Sequence, residues 1–351
     1  MPQSGDSVLV RVTKFCLRHF LVLGLVVVLS LGMTVPQLGS WAASARVGEW
    51  GVVKTIAICI IFLISGLTLR TDDVIGALKE WPALLFGIVS ILFITPLLAL
   101  VPMRLTFMPK EFRYGLLLFC SMPTTINSGV ALACVAGGSF SLALLLTVSS
   151  NLIGIFTVPF FLSLLLSIGR VHIDAALLTV KLMLTILLPL SIGKALRELS
   201  PRLRAALALH KQLAGNVSSF CLLLIPWMEL SVSQQKLLTL DAGALLGLLL
   251  CGLVLHLIYL AFNFAVARYI LRLRLELRKS VVIMASQKAL SISMTVLSFF
   301  PATLGERGLI AIPCITSHIV QLLADAFIAG RWSQMTDPAI RPAAAVTSMS
   351  K

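Results

Sequence analysis

Apolar side chains in this chain run in blocks of roughly twenty, with polar residues gathered between the blocks and seldom inside them. A helix rises about 1.5 Å per residue, so about 20 apolar residues cross a hydrocarbon layer about 30 Å thick. Ten such segments are predicted as membrane-spanning helices: 18–38, 52–69, 81–101, 114–136, 141–168, 175–196, 215–230, 242–268, 280–300 and 308–329, the seventh being short. No segment alternates with period two, which argues against a transmembrane β-barrel. The pattern therefore predicts an all-α membrane protein.

Composition supports that reading. Of 351 residues, 58% are apolar and 12% charged, and mean hydropathy is +1.02. Soluble domains carry about twice that charged fraction. The formal charge of +14 does not point to nucleic acid, because the basic residues sit in short clusters at segment ends, such as Arg268, Arg272, Arg274, Arg278 and Lys279. With ten spans, eighteen Lys and Arg fall on the side of the N-terminus and nine on the other, with Lys288 inside a span. That bias predicts both termini on the cytoplasmic or equivalent organellar side. Seven scattered cysteines without a CxxC pair read as small apolar side chains. The start reads as a tail, 1–17, leading into a first helix, without a cleavable signal or a transit peptide.

Ten spans divide into halves of five, 18–168 and 172–329, followed by a tail, 330–351. An odd number per half requires two repeats of one fold to be inverted in the membrane. Matching interruptions support such repeats. The fourth segment is broken by Met122-Pro123-Thr124-Thr125-Ile126-Asn127-Ser128-Gly129 and the ninth by Ala285-Ser286-Gln287-Lys288-Ala289-Leu290-Ser291. The segments that follow carry Thr147, Ser149, Ser150 and Asn151, and Thr316, Ser317, His318 and Gln321. Paired interruptions point to a site near the bilayer midplane.

Pro123 removes a backbone donor and Gly129 weakens the helix beyond it, so carbonyls are freed beside the oxygens of Thr124, Thr125, Asn127 and Ser128. Hard oxygens suit a small cation or polar substrate; close helix packing is the alternative use of the same small residues. Lys288 falls mid-span, where a lysine costs about 2.5–3.5 kcal/mol on insertion scales and is too deep to reach either surface. It must face protein or a water-filled cavity, either to bind an anion, carry a proton, stand where a cation sits, or hold carbonyls at the break. His256 and His318 read as intramembrane hydrogen-bonding histidines, and Asp325 as a partner for Arg331. No Walker loop, HExxH, GxSxG or dinucleotide fingerprint occurs, so neither an ATP-driven pump nor an enzyme is expected.

The segments Phe62-Leu63-Ile64-Ser65-Gly66-Leu67-Thr68-Leu69-Arg70, Cys120-Ser121-Met122-Pro123-Thr124-Thr125 and Ser128-Gly129-Val130-Ala131-Leu132 resemble the bile acid:sodium symporter family. Ala136-Gly137-Gly138, Ser150-Asn151-Leu152, Ser286-Gln287-Lys288 and Ile312-Pro313-Cys314 extend the likeness, which is greatest to the plant plastid sodium/metabolite cotransporters of the fourth subfamily. The resemblance implies two inverted five-helix repeats. Segments 3–5 and 8–10 would form a core with helices 4 and 9 broken and crossed, and segments 1, 2, 6 and 7 a panel. It further implies alternating access, with sodium behind the crossover and substrate between core and panel. Asn127, Ser128, Thr147 and Gln287 fall in the family's sodium-ligand regions. The acidic residue expected near Ile283 is absent, and a polar ligand of the third segment falls on Ile91.

The sequence thus predicts a secondary transporter for a small organic anion, with binding residues Thr124, Thr125, Asn127, Ser128, Thr147, Ser150, Asn151, Ser286, Gln287 and Lys288. The anion preference rests on a mid-membrane ammonium without a nearby acid. Sodium or a proton is the coupling ion and no other cofactor is expected; uncoupled carriage and a non-transporting membrane sensor are the alternatives. The resemblance places the protein in a plastid envelope if the source is a plant or alga, and otherwise in a plasma or endomembrane.

Overall fold

The computed structural model describes residues 20–48, 50–69, 80–125, 127–168 and 173–335. The tail 1–17 and the chain beyond 335 lie outside the described residues. What is described is nearly all helical. Helix α1 (Phe20–Thr34) meets α2 (Pro36–Ser44) at a bend of 94°. Pro36 causes it: the ring removes an N–H and drives Val35 out of the helical region, to φ −132° and ψ 64°. The first segment is therefore bent at Val35 rather than one straight helix to residue 38. Two antiparallel two-residue strands follow, β1 (Arg46–Val47) and β2 (Trp50–Gly51), which the periodicity did not foresee.

Next come α3 (Val52–Thr68), α4 (Trp81–Met103), α5 (Lys110–Cys120), α6 (Asn127–Val135) and α7 (Phe140–Ile168). After them run α8 (Ala175–Leu199), the short exposed α9 (Pro201–Leu209), α10 (Lys211–Leu238), α11 (Ala242–Ile270), α12 (Leu275–Ser286), α13 (Leu290–Ser298) and α14 (Arg307–Trp332). Seven stretches among the described residues are long and apolar enough to cross a membrane: α4, α7, α8, α10, α11, α12 with α13, and α14. The α1–α2 pair adds an eighth if its two arms are one span, and α3 is a shorter apolar helix of 17 residues. The short seventh segment is corrected: α10 is 28 residues long, since polar positions such as Gln212, Gln234 and Gln235 extend a helix that hydropathy alone truncates.

Packing sorts the helices into two groups. In the first, α3 lies along α8, and α10 packs on α1, α2 and α3. Glycines set the approach of α3 to α8: a Cβ on Gly66 would strike the Leu190 carbonyl oxygen, and one on Gly193 the Leu63 carbonyl oxygen. Lys54 of α3 lies buried 2.6 Å from Glu229 of α10. In the second group, α12 is surrounded by α4, α6, α7 and α11, and α14 packs on α5, α11 and α13. The α12–α13 stretch is 94% buried, against 28–61% for the other long spans, so it is the axis of the molecule. The α10–α14 contact joins the groups, and the Gly308 N–H donates to Ser233 Oγ there at 3.2 Å.

Gly66→Val or Gly193→Val is expected to lower stability by about 1–3 kcal/mol through overpacking, read as thermal unfolding in detergent. Gly215→Ala, where nothing lies within 4 Å of the added carbon, should leave stability unchanged or slightly raised.

Candidate functional site

Helix α5 stops at Cys120 because the ladder runs into Pro123. Ser121 N–H still reaches back to Leu117 and Leu118, and Met122 N–H to Phe119, before residues 123–125 leave the helix. The second break has no proline or glycine. Gln287 turns extended at φ −82° and ψ 149°, and the peptide groups of Lys288 are taken by a side chain of α14. Lys288 N–H donates to Gln321 Oε1 at 3.0 Å, and Gln321 Nε2 donates to the Lys288 carbonyl at 2.8 Å. Gln321 thus plays the part of the missing helical partners. The two breaks meet where Ala289 N–H donates to the Pro123 carbonyl at 2.8 Å.

Lys288 is fully buried at this meeting point. Its ammonium donates to the Ile91 carbonyl at 2.8 Å, to the Met122 carbonyl at 2.8 Å and to Thr95 Oγ1 at 2.7 Å. An ammonium has three protons, so all are used. The Tyr259 ring lies 5.9 Å from the nitrogen. The Ile91 carbonyl is available for a local reason. A π turn at Ser90–Ile94 sends Thr95 N–H back five residues to Ser90, and the next residue, Pro96, has no N–H to give. At Ile91 it is thus the backbone, not the apolar side chain, that supplies an oxygen to the centre.

From Lys288 a second polar chain leads away. Thr125 Oγ1 accepts from Gly129 N–H at 2.9 Å and donates to Gln287 Oε1 at 2.6 Å. Gln287 Nε2 donates to Asp325 Oδ2 at 2.7 Å, and Asp325 Oδ1 lies 2.9 Å from His256 Nε2. The expected Asp325–Arg331 pair is thus corrected. Asp325 turns inward, fully buried, because two donors await it there. It stands on α14, one hydrogen bond from Gln287 of the second break. An acid two-thirds along an apolar helix, costly unless partnered, was the signal that could have found it. His318 Nδ1 pairs with Gln321 Nε2 at 2.9 Å.

The remaining predicted residues gather on the α7 side. Thr147 Oγ1 donates to Ala143 at 2.9 Å and lies 3.4 Å from the Thr125 carbonyl. Asn151 Nδ2 donates to the Thr147 carbonyl at 2.6 Å and the Thr124 carbonyl at 3.2 Å. Thr124 Oγ1 and Asn151 Oδ1 are buried without a hydrogen-bond partner, and Ser150 Oγ bonds within its own helix at 3.3 Å. Ser286 Oγ accepts from Asn263 Nδ2 at 3.1 Å, and Asn263 Oδ1 accepts from Ser90 Oγ at 2.6 Å. Asn263 and Ser90 were not singled out from sequence; single polar residues in apolar helices carry little signal alone. Ser128 is half-buried, and the Asn127 side chain lies outside the described residues.

Such a polar centre, built from paired helix breaks, is what the comparisons with known proteins also bear on. A model of the SBF-like CPA transporter family matches residues 19–334. The chain belongs to this family. It is a multi-pass membrane transporter, not an enzyme. A chloroplastic BASS4 of Oryza sativa subsp. indica, named a probable sodium/metabolite cotransporter, is 38% identical over 341 residues, covering 94% of this chain and 79% of the rice protein. Its namesake in Arabidopsis thaliana is 37% identical over 326 residues, covering 91% and 73%. Sodium/bile acid cotransporter 7 of Danio rerio is 24% identical over 320 residues, covering 87% and 91%. The family resemblance drawn from the MPTT and SQK segments is thereby confirmed.

Asp325→Ala would leave Gln287 Nε2 and His256 without an acceptor, at about 1–3 kcal/mol for each stranded group. The expected result is a clear loss of thermal stability, and a Gln287→Leu, Asp325→Ala double variant that loses less than the sum of the single changes. Additive losses would show that the Gln287–Asp325 bond contributes nothing.

Proposed function

We propose that this protein is a sodium-coupled secondary transporter of a small organic anion, working by alternating access. The contact of the two broken helices, Ala289 N–H to the Pro123 carbonyl, carries the reading. Backbone stripped of its helical partners is tolerated at membrane depth only where protein or a water-lined path replaces lipid. Carriers place their sites at such interruptions.

Ten spans in two inverted five-helix repeats fit these elements. Breaks divide α5 from α6, of 11 and 9 residues, and α12 from α13, of 12 and 9. A π turn interrupts α4 at Ser90–Ile94 and α11 at Val266–Ile270, and a proline sits inside both α7 and α14, Pro159 and Pro313. The two packing groups correspond to a moving core and a panel, repeat boundaries falling at 18–168 and 172–329. Sodium would bind among Asn127, Ser128, Thr147 and Gln287 beside the Thr125 carbonyl. The Asp325 carboxylate, one hydrogen bond behind Gln287, would offset its charge.

The anion preference needs a new basis, since the Lys288 protons are all engaged by protein and an acid is close by. An open cleft of about 410 Å³ lined by Arg268, Tyr269, Arg272, Leu273 and Arg278 provides one, by concentrating anions at the basic face. The sodium/metabolite names of the rice and Arabidopsis relatives support the coupling, and their chloroplast assignment supports a plastid envelope.

Uptake of a panel of small mono- and dicarboxylates and taurocholate into proteoliposomes tests this. An inward sodium gradient is expected to accelerate uptake of at least one compound. Gln287→Ala and Thr147→Val should raise the half-saturating sodium concentration about tenfold, or about 1.4 kcal/mol. Uptake that follows a proton gradient alone would reassign the coupling ion, and uptake indifferent to both would make the protein an uncoupled carrier. A compound that raises the melting temperature without flux would make it a sensor.

A further inference from the structure

We infer that Lys288 is a built-in cation: its ammonium fills a monovalent-cation cage at the crossover that this chain never leaves to a mobile ion. The inference deepens the transport reading, because a tethered charge at this point removes one exchangeable ion from the cycle. Its core is a statement about binding and stands whether or not the chain carries solute.

The oxygens around the ammonium come from two elements that meet the second break at this point. Ile91 and Thr95 belong to the kinked part of α4, Met122 to the end of α5, and the lysine to the second break. Two of the three are main-chain carbonyls, both freed by local faults of the helix, the π turn before Pro96 and the stop before Pro123. Carbonyls aimed at one point and stripped of backbone donors make the same kind of cage that selects desolvated cations in membrane proteins. Their direction is set by backbone, so the cage outlasts the loss of the side chain. No carboxylate lies within ion-pair distance of the ammonium among the described residues, so neutral dipoles alone hold the charge.

A lysine serving only as glue for the break makes a different prediction. Without it the carbonyls would turn to one another or to water and show no preference among cations. A cage would instead accept an ion of ammonium size from solution.

The test is thermal unfolding of purified, detergent-solubilised protein in ammonium chloride, potassium chloride, sodium chloride or choline chloride at equal ionic strength. Lys288→Ala empties the cage and stem. Lys288→Leu keeps an apolar stem and empties the cage alone. Both variants are expected to melt below wild type in choline and to recover saturably in ammonium chloride, by about 3 °C or more, with potassium next and choline inert. n-Propylammonium should restore Lys288→Ala better than n-propanol, because the alcohol fills the stem without the charge. Wild type should show no ammonium-specific rise. Should both variants be unfolded in choline, their recovery as folded, monodisperse protein when extracted in ammonium chloride is the same result. Variants that respond to ammonium no more than wild type, or that stay unfolded in it, overturn the inference. An absence of carboxylate uptake in proteoliposomes alongside ammonium rescue would overturn the transport reading and leave the cage standing.

Discussion

Three hydrogen bonds to one ammonium hold the centre of this molecule together. In hydrocarbon a peptide group without a partner costs several kcal/mol, so a helix can come apart at mid-membrane only if something else takes over its donors and acceptors. Here two helices come apart at the same depth and repair each other. Pro123 offers its carbonyl to Ala289, Gln321 embraces both peptide groups of Lys288, and the Lys288 side chain gathers the stray carbonyls of Ile91 and Met122. Each break would be untenable alone.

That constraint explains why so much of the surrounding polarity is spent on positioning. Asp325, His256, Gln287 and Thr125 form one chain, Ser90, Asn263 and Ser286 another, and both end at the second break. Among the described residues around the crossover, Thr124 Oγ1 and Asn151 Oδ1 on the α7 side, and Ser317 Oγ and His318 Nε2 on the α14 side, are the buried atoms without partners. A polar network this extensive is rigid, as the proposed alternating-access cycle requires of the group of helices around α12. The other packing group has its own fixed points, in the glycine contact of α3 with α8 and the Lys54–Glu229 pair.

The chain shows in miniature how charges read along a sequence differ from charges in place. Lys288 looked like an anion receptor because no acid stood near it in its own segment. Asp325, 37 residues later, reaches its neighbour Gln287 from a different helix. Lys54, near the start of its segment, is half of a buried pair with Glu229. In both cases the partner is distant in sequence, and no local pattern announces it.

Hydropathy by itself determined that the chain lives in lipid and roughly where its helices run, because the cost of polar atoms in hydrocarbon acts residue by residue. The first break was readable too, since proline removes its donor wherever it stands. The second break was marked in the sequence by its polar run, but what opens it was decided only by the tertiary structure: Gln287 and Lys288 have no intrinsic bar to helix, and they leave it because Gln321 and Pro123 offer better partners. The same holds for the ammonium cage, whose oxygens come from a proline-faulted π turn, a helix end and a threonine, and exist as a site only once three segments have been brought to one point.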